Sequence, residues 1–249
     1  MQAAHPEAAL VQDVVDANRI LFHQGIVDAF GHVSARSALD PQRFYMSRNL
    51  APGLVTVADV LTYEVATGEP VAADAPRLYL ERSIHSEIFK ARPDVMAVVH
   101  NHSPAVLPFT IAQGARLKPV CHMCGFLGDG PPLFEIRDHA GAGTDLLIRN
   151  RELGAALAQT LGAEHVVLMR GHGCTVVGES VRIAVYRSVY TEVNARLLLQ
   201  ALALGAVESL TPQEAQAARS AVEGQVDRPW NLWRHQAYAA GGVPDVAAA

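Results

Sequence analysis

The chain has 249 residues, half of them hydrophobic and 18% charged, with a formal net charge of −5. A chain of this length can bury a sizeable core, and we expect a single domain over residues 1–249 with a flexible tail from about residue 236. The negative charge argues against the basic surface that nucleic-acid binding requires.

Other compositional features exclude further classes. No apolar run approaches the roughly 18 residues of a membrane helix, and the N-terminus has no basic start or apolar centre typical of a secretory signal. The three cysteines are too few, and odd in number, for a disulfide scaffold. We therefore expect a soluble cytoplasmic protein without nucleic-acid or membrane partners.

The first part of the chain predicts one helix followed by a small antiparallel sheet. Apolar residues at helical spacing indicate a helix from Ala8 to His23, with Gly25 as its stop. Short, turn-bounded segments then predict strands over residues 30–36, 44–47 and 60–63.

The remainder predicts alternating helices and strands. We expect helices over residues 80–91, 150–161 and 181–204, the last begun by Ser180 and closed by Gly205. Strands are predicted over residues 95–102, 166–169 and 175–177. Residues 119–136 are rich in glycine and proline and predict a long loop with at most one strand, which in a compact domain indicates binding. Trp230 and Trp233 suggest that the segment before the tail docks on the domain.

Two histidines stand one residue apart in the predicted strand of residues 95–102. Side chains two apart on a strand share a face, so His100 and His102 have a spacing suited to one metal ion. An arbitrary pair of this kind is more often simply hydrogen-bonded. His172, between Gly171 and Gly173, is a third candidate ligand, although such a segment is also typical of an ordinary tight turn.

A glutamate and a further histidine, Glu81 and His85, lie in the first half of the predicted helix of residues 80–91. Glu81 could reach the metal, because a short turn joins its helix to the histidine strand. The alternative is a charge that interacts with the helix dipole. His85 could orient Glu81 or only pack. Cys121 and Cys124 form a single Cys-x-x-Cys motif, which without a second pair is weak evidence for zinc or redox chemistry.

These segments together resemble the class II aldolase and adducin family. The resemblance covers roughly residues 8–205 and rests on four motifs: Gly-His-Val-Ser-Ala-Arg at 31–36, Glu-Arg-Ser-Ile-His at 81–85, Arg-Pro-Asp-Val-Met-Ala-Val-Val-His-Asn-His-Ser-Pro at 92–104, and Arg-Gly-His-Gly at 170–173 with Val-Gly at 177–178.

The resemblance implies a fold, an assembly and a metal site. The fold is a three-layer α/β/α sandwich around a mainly antiparallel sheet, and the assembly is a homotetramer or larger homo-oligomer with sites at subunit interfaces. His100, His102 and His172 match the three ligands of one divalent metal per subunit, Mn²⁺ or Zn²⁺ with Fe²⁺ or Co²⁺ as alternatives. Glu81 matches the family glutamate that ligates the metal or acts as acid and base.

Departures from the phosphosugar members change the expected substrate. Position 32 is histidine where asparagine is usual, Met-Ser-Arg-Asn at 46–49 replaces a serine- and glycine-rich turn, and Leu-Tyr-Leu at 78–80 stands where small hydroxyl residues are common. Arginine can meet a carboxylate through two parallel hydrogen bonds, although each arginine could also be a solvated surface charge. The candidate substrate-binding residues are Arg36, Ser47, Arg48, Lys118 and His122.

The sequence therefore predicts a metal-dependent carbon–carbon lyase acting on a small carboxylate. Its similarity is greatest to the branch that decarboxylates hydroxylated phthalates or pyridine dicarboxylates, with Glu81 and His32 handling the proton. The alternatives are an aldolase or epimerase for a sugar or sugar acid, and a non-catalytic adducin-like interaction module.

Overall fold

A seven-stranded sheet organises the protein, whose computed structural model describes residues 7–240. Its strands are β1 His32–Arg36, β2 Arg43–Ser47, β3 Val60–Glu64, β4 Ala97–Asn101, β5 Leu133–Phe134, β6 Val166–Met169 and β7 Gly173–Gly178. The spatial order is β3-β2-β1-β4-β7-β6-β5. Neighbouring strands are antiparallel except β5 and β6, which are parallel.

Helices cover both faces of this sheet. They are α1 Ala8–His23, α2 Arg82–Ala91, α3 Leu107–Ile111, α4 Arg137–Ala140, α5 Arg151–Leu161, α6 Val181–Leu204, α7 Pro212–Val222 and α8 Asp227–Ala239. Short 3-10 helices lie at Pro52–Leu54, Val57–Asp59, His122–Leu127 and Glu223–Gln225. Within residues 7–240, none of the helices combines the length and apolarity that crossing a bilayer requires.

The alternation of β4 divides the core into two layers. Ala97 and Val99 pack with side chains of α1, α6 and α8, whereas Val98 packs with side chains of α2 and α5. His100 shares the face of Val98, because residues two apart on a strand point the same way. The predicted three-layer α/β/α sandwich is confirmed, and the strand histidine faces the layer of α2 and α5.

Two close contacts between backbone segments fix the start of α2 against α5 and the start of β7 against the end of β4. A Cβ on Gly154 of α5 would lie 2.5 Å from the Ser83 carbonyl oxygen, so this glycine lets α5 pack against the start of α2. A Cβ on Gly173 would lie 2.1 Å from the Asn101 carbonyl oxygen. Only glycine fits there, and β7 can therefore begin directly beside the end of β4.

Most predicted elements occur at or near their predicted positions, with corrections at several ends. The predicted first strand begins at His32, and the predicted strand of residues 95–102 is limited to Ala97–Asn101. The predicted long loop contains the 3-10 helix His122–Leu127 and β5. Ser180 caps α6 as predicted, accepting a hydrogen bond from the Ile183 N–H at 3.2 Å.

The C-terminal helices α7 and α8 were not predicted. Trp230 and Trp233 of α8 are buried in the core that α1 and α6 share. Tyr238 Oη donates to Asp16 Oδ1 of α1 at 2.6 Å, and Arg234 Nε lies 2.7 Å from Asp16 Oδ2. The predicted flexible tail begins inside α8, which continues to Ala239, and residues 241–249 lie outside the described part of the chain.

Candidate metal centre

The ends of β4 and β7 and the start of α2 bring the four predicted ligands together. Glu81, His100, His102 and His172 each offer one ligand atom, and these atoms all lie within 4.8 Å of one another. His100 Nε2 is 3.1 Å from His102 Nε2. Glu81 Oε2 is 3.5 Å from His172 Nε2 and 3.7 Å from His100 Nε2. We call these four residues the histidine cluster.

Contacts behind the rings fix the orientation of two imidazoles. His172 Nδ1 donates to the Leu146 carbonyl oxygen at 2.9 Å, which leaves the lone pair on Nε2. Leu146 itself has a φ of 71°, an uncommon conformation for a residue with a Cβ. His100 Nδ1 lies 3.3 Å from Thr175 Oγ1, its partner in the β4–β7 register. Partners of this kind typically orient metal-ligating histidines.

Glu81 is held at the centre and does not cap its own helix. It immediately precedes α2, yet its side chain makes no capping hydrogen bond there. Its Oε1 accepts the Ile148 N–H at 2.8 Å, and its Oε2 faces the imidazoles. The residue Glu81 is only 8% exposed, so its carboxylate occupies a site that is nearly closed to solvent.

Burial keeps two of the rings neutral. Desolvation, with smaller contributions from neighbouring histidines, puts the pKa of His100 well below its usual value and also lowers the pKa of His102. Burial opposes protonation of His172 too, but its hydrogen bond to Glu81 and the charge of Glu81 raise its pKa overall. Metal ligation requires neutral imidazole, so convergent nitrogen lone pairs beside one carboxylate fit a divalent metal.

A second histidine pair lies behind this cluster. His32 is opposite His100 in the β1–β4 register, with ring centroids 5.0 Å apart. His32 Nδ1 shares a hydrogen bond with His85 Nε2 at 2.6 Å, and His85 Nδ1 shares one with Ser34 Oγ at 2.6 Å. Burial lowers the pKa of His85 to about 3 and puts that of His32 well below its usual value. His85 therefore contacts His32, whereas the sequence suggested Glu81 as its partner.

Tyr79 is the residue that sequence reasoning missed. Its ring centroid lies 4.7 Å from that of His32, and its hydroxyl is 3.2 Å from Ser47 Oγ. The hydroxyl also donates to the Leu50 carbonyl oxygen at 2.5 Å. Ser47 is thus linked through Tyr79 to the histidines. The only signal in the sequence was an aromatic residue two positions before Glu81, where the resembling family often has small residues.

Arg36 is not near the histidine cluster, contrary to its predicted role. Arg36 is the last residue of β1, four residues after His32, and therefore lies about 13 Å along the strand from His32. Its guanidinium donates to the carbonyl oxygens of Val95, Pro41 and Arg92 and to that of Phe89, and it stacks on the Phe89 ring. These contacts use four of the five N–H groups of the guanidinium and stabilise the C-terminal end of α2.

The other candidate substrate-binding residues lie at varied positions. Arg48 follows Ser47 directly and donates to Asp59 Oδ1 at 2.7 Å, with its side chain 39% exposed. Lys118 pairs with Asp129 near the surface. His122 is exposed and lines a separate cavity of about 570 Å³ with Tyr186 and Trp233. Within the described chain, neither Lys118 nor His122 joins the histidine cluster.

Comparisons with known proteins identify relatives of this chain. Residues 12–199 match the family described as Class II Aldolase and Adducin N-terminal domain. The chain is 38% identical to Decarboxylase tropJ of Talaromyces stipitatus, covering 92% of this chain and 94% of that protein. It is 32% identical to the 3,4-dihydroxyphthalate decarboxylase of Terrabacter sp., covering 92% and 96%. The fold matches L-fuculose 1-phosphate aldolase from Glaciozyma antarctica PI12 with a TM-score of 0.75, at 23% identity over 95% of this chain and 94% of that one.

Proposed function

Because this chain belongs to the class II aldolase and adducin family, we propose that it is a metal-dependent lyase that decarboxylates a hydroxylated aromatic or pyridine dicarboxylate. The observation that carries the proposal is the convergence of His100, His102, His172 and Glu81 within 4.8 Å. The names of two relatives that cover most of the chain supply the reaction class.

The histidine cluster would hold one divalent ion per subunit, Mn²⁺ or Zn²⁺ with Fe²⁺ or Co²⁺ as alternatives. Imidazole nitrogen suits all of these metals, and the Glu81 carboxylate suits manganese in addition. When bound, such an ion supplies a Lewis acid that stabilises the negative charge left by carbon–carbon bond cleavage. The protein fixes the orientation of the donors through Thr175 and Leu146.

The proton that replaces the lost carboxyl group would come from Glu81 or His32. Decarboxylation leaves the bonding electron pair on a ring carbon, and this carbon must then take up one proton. If Ser34 donates to His85 and His85 donates to His32 Nδ1, His32 carries its own proton on Nε2. This chain of hydrogen bonds would keep neutral His32 oriented as a proton donor. Glu81, whose Oε1 accepts the Ile148 N–H, would be the alternative proton donor, in its protonated form and not as a metal ligand at that step.

The retained carboxylate of the substrate would bind at the end of β2. Ser47 and Arg48 lie there, and Tyr79 links Ser47 to His32. Lys118 and His122 would reach a site only across a subunit interface, which the homotetramer implied by the family resemblance would provide. We extend the proposal to that assembly and to a cytoplasmic location.

A substrate panel tests the proposed reaction. The metal-loaded protein is offered hydroxylated phthalates, hydroxylated pyridine dicarboxylates, sugar phosphates and sugar acids, and both carbon dioxide and carbonyl products are measured. We expect carbon dioxide from an aromatic or pyridine dicarboxylate only. Aldehyde and ketone products without carbon dioxide would replace the decarboxylase with an aldolase, and no product together with no bound metal would favour an interaction module.

His85→Gln tests the proton pathway separately. The substitution removes the fixed orientation of His32 and leaves the histidine cluster intact, so we expect kcat to fall about 10- to 100-fold with little change in KM or metal content. The pH dependence of kcat should change as well. An unchanged kcat and pH profile would exclude His32 and His85 from proton transfer.

A further inference from the structure

Cys121 and Cys124 lie outside the histidine cluster and have the geometry of a reactive thiol pair. Their sulfur atoms are 3.1 Å apart, and the Cys124 N–H donates to the Cys121 carbonyl oxygen at 3.0 Å. A turn closed in this way keeps the two Cα atoms within about 7 Å, and disulfides span Cα distances of about 4.4–6.8 Å. A bond between the two sulfurs therefore needs only a small local movement.

The turn is held in place by its neighbours. Tyr186 Oη donates to the Met123 carbonyl oxygen at 2.8 Å, and Cys124 Sγ lies 3.3 Å from the Tyr190 carbonyl oxygen. On the other side, a Cβ on Gly125 would lie 2.2 Å from the Ala215 carbonyl oxygen of α7. The sulfurs are thus kept adjacent by packing, which raises their effective concentration toward each other.

The two thiols are also chemically unequal. Cys121 is partly exposed, and hydrogen bonds from the Cys124 thiol and from backbone N–H groups lower its pKa to about 7. Cys124 is buried, and its hydrogen bond to Cys121 and its burial raise its pKa. A partly exposed thiolate beside a buried thiol is the usual arrangement of an attacking and a resolving cysteine.

We propose that Cys121 and Cys124 are a site of reversible oxidation by peroxides to an intramolecular disulfide. The Cys121 thiolate attacks one oxygen of hydrogen peroxide and forms a sulfenic acid, and the released hydroxide takes up a proton to become water. The Cys124 sulfur then attacks the sulfenic sulfur, forming the disulfide, while its thiol proton leaves with the hydroxyl group as a second water. Two thiols lose two electrons, and one peroxide yields two waters.

The disulfide would restrain one wall of a cavity. His122 and Met123, which separate the two cysteines, line the cavity of about 570 Å³ beside Tyr186, Tyr190 and Trp233. Oxidation would fix the turn that carries them. This inference does not depend on the proposed lyase activity.

Peptide mapping of the full-length, metal-loaded protein tests the proposal. The protein is treated with hydrogen peroxide, alkylated with iodoacetamide under denaturing conditions, and digested without reductant. We expect the peptide with Cys121 and Cys124 to lose two hydrogen atoms in mass and to resist alkylation until dithiothreitol is added. Fragment ions separate this change from oxygen added to Met123.

Cys174 provides the matched control. It is buried, its sulfur donates to Asn101 Oδ1 at 3.3 Å, and burial raises its pKa to about 12. We expect Cys174→Ser to leave disulfide formation unchanged, and Cys124→Ser to stop the reaction at oxidised Cys121. Cys121 oxidised beyond the sulfenic acid in the native sequence, with Cys124 still open to alkylation, would overturn the proposal, as would persistence of both free thiols.

Discussion

Two polar clusters in this protein, each centred on a fully buried side chain, Arg187 or His100, satisfy their hydrogen-bonding groups in different ways. The arginine cluster, Arg187 with Glu179, Arg219 and Glu223, lies where α6 meets the residues that follow β7 and α7. Arg187 has no exposed surface, and it donates to Glu223 Oε1 at 2.7 Å and to the Val177 carbonyl oxygen at 2.8 Å and contacts Glu179 Oε2 at 3.0 Å. Its charge and its donors are both matched.

The histidine cluster differs because its inward-facing nitrogens meet one another. His100 and His172 have partners for their outward nitrogens in Thr175 and Leu146. Their Nε2 atoms face the ring of His102 and a single carboxylate. A cluster with matched partners is explained by structure alone, whereas convergent lone pairs are explained by a bound cation.

The largest expected effect follows from breaking the histidine cluster. His100→Ala should reduce kcat/KM on the order of 1000-fold and lower the metal content, because it removes a ligand from a buried site. Elemental analysis and steady-state kinetics measure both. His23→Ala changes an exposed histidine at the end of α1 and should leave both unchanged. Full activity and metal content in His100→Ala would show that the cluster is structural.

Breaking the arginine cluster should change stability but not metal binding. Arg187→Met leaves Glu223 with Arg219 as its remaining cation and removes the donor to the Val177 carbonyl oxygen, and we expect the free energy of unfolding to fall by about 1–3 kcal/mol. Urea denaturation measures this change. Arg43→Met removes a half-exposed ion pair with Asp40 and should cost at most about 1 kcal/mol. Loss of metal from folded Arg187→Met would contradict the separation of the two clusters.

A subtler substitution sharpens the contrast within the metal centre. Thr175→Val keeps the shape of the side chain but removes the oxygen behind His100, so we expect metal affinity to fall about tenfold. Competition with a chelator measures the affinity. Thr191→Val is the matched control, since this buried threonine bonds only within α6, to the Arg187 carbonyl oxygen at 2.6 Å. Equal effects of both substitutions would count against an orienting role for Thr175.

The smallest expected effect concerns pH. Burial, with the charges of Arg187 and Arg219 in addition, lowers the pKa of His165 to about 4 from an ordinary value of 6.5. Between these values the unfolded chain binds the extra proton, so stability is lost as pH falls through this window. Relative to His165→Gln, the wild-type protein should lose about 1–2 kcal/mol between about pH 7 and pH 5. A pH-independent difference in urea denaturation would contradict this pKa shift.

Sequence patterns predicted the elements whose signals are local. The bounds of α1, β6 and α6 agree with prediction because apolar periodicity and end signals coincide there. By contrast, α7 buries only Ala215 among its residues, and α8 buries only its two tryptophans, so neither has a strong apolar stripe.

Site residues could likewise be predicted where their signal is local in sequence. The histidines could be predicted because their signals are local: His100 lies in β4, His102 directly follows it, and His172 directly precedes β7. The position of Arg36 could not be predicted, because its partners, the carbonyl oxygens of Phe89 and Val95, are more than fifty residues away in sequence. Tyr79 was missed for a similar reason, since only the folded chain brings its ring to His32.

The docking of α8 on α1 has a consequence for biosynthesis. The Tyr238–Asp16 hydrogen bond spans 222 positions, so α1 can complete its contacts only after α8 has been synthesised. Until then Asp16, which is 1% exposed in the finished fold, lacks its cation Arg234. A chain released before α8 would leave the α8-facing side of α1 uncovered, and this side would distinguish incomplete molecules from finished ones.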